Sequence, residues 1–242
     1  MRASPPICHI RTNAAPAIGV DAARMPCTND AMTTPDLSGA YALDGADACR
    51  RLYADWADSY DSDFAAGMDY RLPAETAAAW LRSDPPPGPV LDVGAGTGLL
   101  AAALRGMGHR GAIDAVDLSE AMLDRAARKG LYRRLTAADV TRPLPLPAEY
   151  AGIVSSGTFT HGHVGPEALA PLLAIARPGA VFALSVNAAV WEALGFARAL
   201  DALGERIGGL DRAEVSIYGE AARRRDPAHA ADHALIVTFR KT

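Results

Sequence analysis

The run Val90 to Leu100, VLDVGAGTGLL, limits the possible folds of this chain more than any other segment. Val90 to Val93 reads as a short buried strand, and Leu99 to Met107 reads as a helix. Between them Gly94, Gly96 and Gly98 alternate with Ala95 and Thr97. Glycine accepts positive φ and has no Cβ, so the backbone can turn tightly there and let a ligand come close. A helix starting directly behind such a turn offers unbonded N–H groups and a positive dipole end to an anionic group. By itself, a turn of this kind is also an ordinary strand-to-helix connection.

The residues after it repeat the alternation. Ala112 to Val116 is a second strand, and Ser119 can cap a helix over Glu120 to Lys129 that Gly130 ends. Strands near Leu135 to Ala138, Gly152 to Ser155 and Ala180 to Val186 follow. A helix from Pro166 to Ala176 is expected to be kinked or shortened by Pro171, and the Arg177-Pro178-Gly179 turn leads out of it. One helix over Trp191 to Ile207 and strands over Ala213 to Tyr218 and His233 to Arg240 complete the chain. Upstream, helices are expected over Asp44 to Phe64 and Pro73 to Arg82, followed by a stiff SDPPPGP linker, Ser83 to Pro89. Strands separated by helices of about ten residues imply βαβ units, a mainly parallel sheet and helices on both faces. The class is α/β, and ligands of such sheets bind beyond the carboxyl ends of the strands where strand order reverses.

Of the 242 residues, 50% are hydrophobic, enough for one good core, and no apolar run is long enough to cross a bilayer. A net charge of -4 argues against nucleic acid as partner, and Arg223 to Arg225 reads as a solvated loop. Cys8, Cys27 and Cys49 are odd in number and form no CxxC pair, so a reducing cytoplasm without disulfide or zinc is the simpler expectation. Residues 1–36 mix Pro, Ala and Asn without periodicity and are expected to be a disordered extension, with Met25 and Met32 as possible starts. A single domain over residues 37–242 is expected, its core beginning at residue 90.

Two carboxylates sharpen the reading of the glycine loop. Asp92 precedes the first glycine by two residues, and the spacing is GxGxG where dinucleotide loops have GxGxxG. Asp117 ends the second strand in AVDLSEAML, where a carboxylate can accept from both hydroxyls of a ribose. VLDVGAGTGLL with AVDLSEAML resembles motifs I and II of class I S-adenosylmethionine-dependent methyltransferases. The likeness extends from about Tyr53 to Arg240. YADWADSYD is similar to the aromatic-rich first helix of small-molecule members, and ALIVTFRK to the family's antiparallel last strand. SSGTFTHGHVGPEAL is similar to the Williams–Beuren-region methyltransferase-like subfamily.

That resemblance implies a Rossmann-like, doubly wound sheet of seven strands, mainly parallel with an antiparallel last strand, and S-adenosylmethionine as cofactor. It implies that Gly94, Ala95, Gly96, Thr97 and Gly98 run along the cofactor, with Asp92 ordering the loop. Asp117 would hold the ribose, Leu118 and Met122 would flank the adenine, and Asp139 with Val140 would meet its edge. Ser155 and Ser156 would line the methionine part, Tyr60 would close over it, and Arg71 would meet its carboxylate. Trp80 and Trp191 read as core.

Methyl transfer needs alignment more than a catalytic group, so the catalytic residues stay unassigned. His161 is a candidate for the acceptor site, with His163 beside it. As metal ligands the pair lacks a companion carboxylate or Cys, and no metal is expected. The loop after the fourth strand lacks the Asn/Asp-Pro-Pro-Tyr pattern of DNA amine methylation, which leaves a small molecule as the expected acceptor. Two alternatives stay open: a protein that binds the cofactor as a sensor or partner subunit without turnover, and a nicotinamide-dependent oxidoreductase. Neither the acceptor atom nor the oligomeric state follows from the sequence.

Overall fold

The structure is a computed structural model and describes residues 51–52 and 60–242. The expected extension and most of the expected first helix, including Tyr53 and Trp56, lie outside the described residues. Residues Tyr60–Ala66 form a π-helical turn. Seven strands follow: β1 (Val90–Val93), β2 (Ile113–Asp117), β3 (Arg134–Ala137), β4 (Tyr150–Phe159), β5 (Ala176–Asn187), β6 (Ile207–Ser216) and β7 (His233–Lys241). They form one sheet in the order β3-β2-β1-β4-β5-β7-β6. β1 to β5 pair in parallel, and β7 runs antiparallel to both β5 and β6. This is the doubly wound arrangement that the alternation implied, and strand order reverses between β1 and β4.

The helices are α1 (Leu72–Arg82), α2 (Leu99–Gly106), α3 (Glu120–Arg128), α4 (Leu169–Ile175), α5 (Ala188–Trp191), α6 (Phe196–Asp201) and α7 (Glu220–Arg225). Both faces of the sheet are covered, because alternate strand residues point to opposite sides. Val90, Ile113 and Val154 pack with Ala77 and Trp80 of α1 and Leu100 and Leu104 of α2. Leu91, Val93 and Val116 pack instead into the larger core with Leu169 and Leu172 of α4 and Trp191 and Phe196. Trp80 is fully enclosed, and its indole lies against Gly152, where a Cβ would come within 2.6 Å of the ring. A glycine in β4 thus makes room for the largest side chain of α1.

Local chemistry explains most boundaries. Ser119 caps α3 by accepting from the Met122 amide at 3.4 Å, and Gly130 at φ +63° follows its end. Pro171 shortens its helix as expected: α4 begins only at Leu169, which puts the proline in the first turn, where its missing N–H costs nothing. The Arg177-Pro178-Gly179 turn is instead a bulge inside β5, since Tyr150 pairs with Ala176 while Gly152 pairs with Val181. Arg223 to Arg225 are exposed as expected but sit on α7.

Two expectations need correction. The single helix over Trp191 to Ile207 is broken into α5, α6 and a 3-10 turn at Gly204–Arg206, because Gly195 and Gly204 adopt φ of +73° and +53°. The fourth strand also runs on to Phe159, beyond the expected end at Ser155. Gly157 takes φ +78°, absorbs extra residues as a bulge, and lets Phe159 rejoin β5 opposite Val186.

Candidate functional site

A cavity of about 330 Å³ opens at the carboxyl ends of β1, β2 and β4, at the reversal of strand order. Its floor is the glycine loop. Gly94 packs so closely on Thr158 that a Cβ there would fall 2.0 Å from the Thr158 hydroxyl. At Gly96 the opposite holds: a Cβ would meet no atom within 4 Å, so this backbone borders open space. Gly98, the residue before α2, has φ +90° and supplies no side-chain acceptor to the first turn of that helix. Leu99 and Leu100 of that turn line the cavity.

Asp117 stands at the end of β2 with its carboxylate at the cavity rim. One oxygen accepts from the Gly96 amide and the other from the Ser119 amide, each at 2.8 Å. These bonds fix the plane of the carboxylate and leave each oxygen a second lone pair, which suits reception of two neighbouring hydroxyls. The enclosing protein pushes the acid above its ordinary range, and the amides of Ser119, Gly96 and Leu118 work in the other direction. The side chain nevertheless remains partly open on the cavity side.

Leu118, Ser119, Met122, Asp139 and Val140 line the same end. Asp139 has a local task as well, because it accepts from the amide and hydroxyl of Thr141 at 2.9 and 2.7 Å in an Asx turn. On the other side of the glycine loop lie Ser156, Gly157 and Thr158 of β4, followed by His163 and Val164. Tyr60 and Tyr70 form the remaining wall.

Three of the expected residues support the cavity from outside. Ser155 is fully buried and donates to the Val93 carbonyl at 2.7 Å, since strand alternation turns it away from Ser156. Gly98 sits under the Tyr132 ring, which a Cβ would approach to 3.0 Å. Asp92 is buried beneath the loop and accepts from the Tyr132 hydroxyl at 2.7 Å, while its other oxygen is buried without a hydrogen bond. Desolvation pushes Asp92 up to about 7; the Tyr132 bond and the Ala101 amide oppose this, and Asp117 adds to it.

Because the unfolded chain releases this proton near 3.8 and the folded one near 7, the folded state binds more protons in between. Stability therefore falls as pH rises across that window, by on the order of 4 kcal/mol, and levels off above it. Melting curves from pH 4 to 9 are expected to show that decline for the wild type and a much flatter profile for Asp92→Asn. Parallel profiles would remove Asp92 as the cause.

Arg71 and His161 are placed differently from expectation. Arg71 is half-exposed, pairs with Glu75 at 2.9 Å and does not line the cavity. The His161 ring does not line it either, but its carbonyl lies 2.6 Å from Nδ1 of His163, which does. A carbonyl only accepts, so Nδ1 donates and the neutral ring carries its lone pair on Nε2. Burial holds His163 below the ordinary imidazole range.

Several wall residues escaped the sequence reading. Tyr70 is seated by main-chain bonds, Arg71 N–H to the Ile217 carbonyl and Gly219 N–H to the Asp69 carbonyl, each at 2.9 Å. Its hydroxyl passes over Gly157, where a Cβ would lie 2.4 Å away. Tyr70, Phe64, Tyr218 and Tyr60 form a chain of ring contacts with centroids 5.0–6.1 Å apart. Asp61 accepts from the buried Thr97 hydroxyl and pairs with Lys129, fastening the π-helical turn, and Tyr60 with it, to the glycine loop. No lysine or arginine lines the cavity among the described residues, and no group of three or more His, Cys, Asp or Glu there could hold a metal.

A parallel sheet reversing at β1 and β4, a glycine loop and a carboxylate at the end of β2 form the arrangement in which doubly wound sheets hold nucleoside cofactors. Residues 90–179 match a family model described as a methyltransferase domain. Human methyltransferase-like protein 27 is 34% identical over 141 residues, which are 56% of this chain and 56% of that protein. The match thus spans little more than half the length of that curated relative. The Burkholderia thailandensis 1,6-didemethyltoxoflavin-N1-methyltransferase, solved with 1,6-didemethyltoxoflavin and S-adenosylhomocysteine, superposes with a TM-score of 0.55 at 26% identity, covering 79% of this chain and 87% of that one. The [4+2]-cyclase SpnF superposes with a TM-score of 0.61 at 17% identity, covering 82% and 97%, a likeness of fold alone. Over residues 90–179, and in its fold, the chain is thus similar to S-adenosylmethionine-dependent methyltransferases. The residues present fit that cofactor: open space at Gly96, paired acceptor positions on Asp117 and a helix start without a side-chain cap.

Proposed function

We propose that the chain transfers a methyl group from S-adenosylmethionine to a small-molecule acceptor. The observation that carries this reading is the single cavity wall-to-wall from Asp117 and Asp139 on one side of the glycine loop to Tyr70, Thr158 and His163 on the other. In this reading Asp117 holds the ribose hydroxyls, and Leu118, Met122 and Val140 sandwich the adenine while Asp139 meets its edge. Amides of the glycine loop and the first turn of α2 receive the carboxylate, a task that falls to backbone because Arg71 lies elsewhere. The bound cofactor supplies an electrophilic methyl group on a sulfonium. What the protein contributes is alignment, worth roughly 7–11 kcal/mol when donor and acceptor are held for in-line attack. Tyr60, held by the Asp61 to Thr97 bond, screens that geometry from water.

The small size of the acceptor is supported by the aromatic wall of Tyr60 and Tyr70, and by the Burkholderia neighbour, which was solved with 1,6-didemethyltoxoflavin bound. The cyclase among the fold neighbours is a reminder that this fold also hosts other chemistry. Calorimetric titration with S-adenosylmethionine, S-adenosylhomocysteine and NADH is expected to show micromolar binding of the two sulfur ligands and none of NADH. Absence of binding by both sulfur ligands would end the reading. Binding without methylated product from a broad acceptor screen would leave a cofactor-binding partner protein in its place.

A further inference from the structure

We propose that the outer edge of β6 is a self-association surface, on which a second copy of this chain adds its own β6 antiparallel about Ala213. β6 closes one end of the sheet, and among the described residues no strand pairs with its outer side. Such an edge is a template for another strand unless lysine, proline or a bulge blunts it. β6 holds neither lysine nor proline, and its bulge, between Gly208 and Asp211, leaves the run from Asp211 to Ser216 regular. Asp211, Arg212, Ala213 and Glu214 are all exposed. This surface is separate from the cavity and does not depend on the methyl-transfer reading.

Main-chain geometry fixes which residues can pair across that edge. The Ile217 N–H donates to the Asp232 carbonyl at 3.0 Å, in register with the ladder from Asp211 opposite Thr238 to Ser216 opposite His233. Successive residues of an antiparallel strand direct their N–H and C=O to opposite edges, so Asp211, Ala213 and Val215 bond to β7. Arg212, Glu214 and Ser216 turn theirs outward. Two copies can therefore pair only with outward residues opposite one another. Centred on Arg212 or on Glu214, the pairing sets like charges face to face, which is destabilising. Centred on Ala213, it sets Arg212 opposite Glu214 of the partner subunit, and Glu214 opposite the partner's Arg212. Each such pair exchanges both main-chain hydrogen bonds and joins opposite charges on one face of the sheet. The axis falls at a non-hydrogen-bonded pair, where side chains come closest, and there the residue is alanine. Arg212 is already held, its guanidinium carbon 5.3 Å from the centre of the Trp191 ring, so pairing costs it little side-chain freedom. The cavity stays open in both copies, since β7 and β5 separate β6 from β4.

The test is sedimentation of the full chain over about 1 to 200 μM, a range suited to a small interface. The wild type is expected to form dimers that dissociate on dilution. Arg212→Glu sets Glu opposite Glu, and Glu214→Arg sets Arg opposite Arg, so each alone should weaken the dimer at least about tenfold. Mixing the two single variants restores opposite charges across the edge and should yield a mixed dimer. Carrying both substitutions in one chain should do the same for a dimer of identical copies. Melting temperatures serve as the check that each variant is folded. A wild-type chain monomeric throughout, single variants that dimerise like the wild type, or a charge swap that recovers no dimer would overturn the proposal.

Discussion

Asp117→Ala is expected to weaken S-adenosylhomocysteine binding at least about 100-fold while the protein stays folded. Hydrogen bonds to a charged group contribute about 1.5–3 kcal/mol each, and the carboxylate is placed to receive two from a ribose. The substitution also strips acceptors from the Gly96 and Ser119 amides, so the glycine loop loses the strut that shapes it. Asp117→Asn keeps one acceptor oxygen and should fall between, at about tenfold. Because burial raises this carboxylic acid, affinity should increase as pH rises and the group ionises. Calorimetry of the three proteins, with melting temperature as a control on folding, decides the matter. Equal affinities would remove Asp117 from the cofactor site.

The second large effect is on stability. Gly94→Ala is expected to cost about 3 kcal/mol, combining left-handed strain at φ +63° with a Cβ driven into Thr158. For a domain of this size that lowers the melting temperature by about 10 °C. Thr158 cannot simply turn aside, since its hydroxyl donates to the Val93 carbonyl at 3.0 Å and its neighbour Gly157 is held by Ser185. Adding Thr158→Ala should recover part of the steric cost, since the Thr158 Cβ would still lie 2.9 Å from the new methyl, and leave the strain. Gly96→Ala, with a similar φ but no atom near its Cβ, should lose only about half as much. If Gly94→Ala and Gly96→Ala melt alike, close packing on Thr158 is not what requires glycine at position 94.

The contrast between these two glycines marks what could be read from sequence. That a strand, a tight turn and a helix lay at Val90 to Leu100 followed from local chemistry, as did the Ser119 cap and the position of Asp117 at a strand end. Which glycine faces a threonine and which faces open space depended on β4, some sixty residues away. Ser155 and Ser156 are adjacent, and only the register of β4 against β1 sends one inward and the other to the cavity. His161 and His163 posed the same difficulty, since a loop has no period to say which ring turns in. The broken helix after Trp191 was visible as Gly195 and Gly204, but a glycine inside a helical pattern does not state its φ. Tyr70 carried no local signal at all, because its place is set by pairing with residues 217–219.

That pairing has a consequence for how the protein is made. On the ribosome the cavity floor, from β1 through β4, is complete long before residue 219 emerges. Tyr70 must wait for Ile217 and Gly219 to be threaded back to it, a contact separated by about 150 residues and therefore slow to find. The nascent chain thus holds the glycine-loop floor while Tyr70 is still unseated, and that wall sets only once residues 217–219 have emerged.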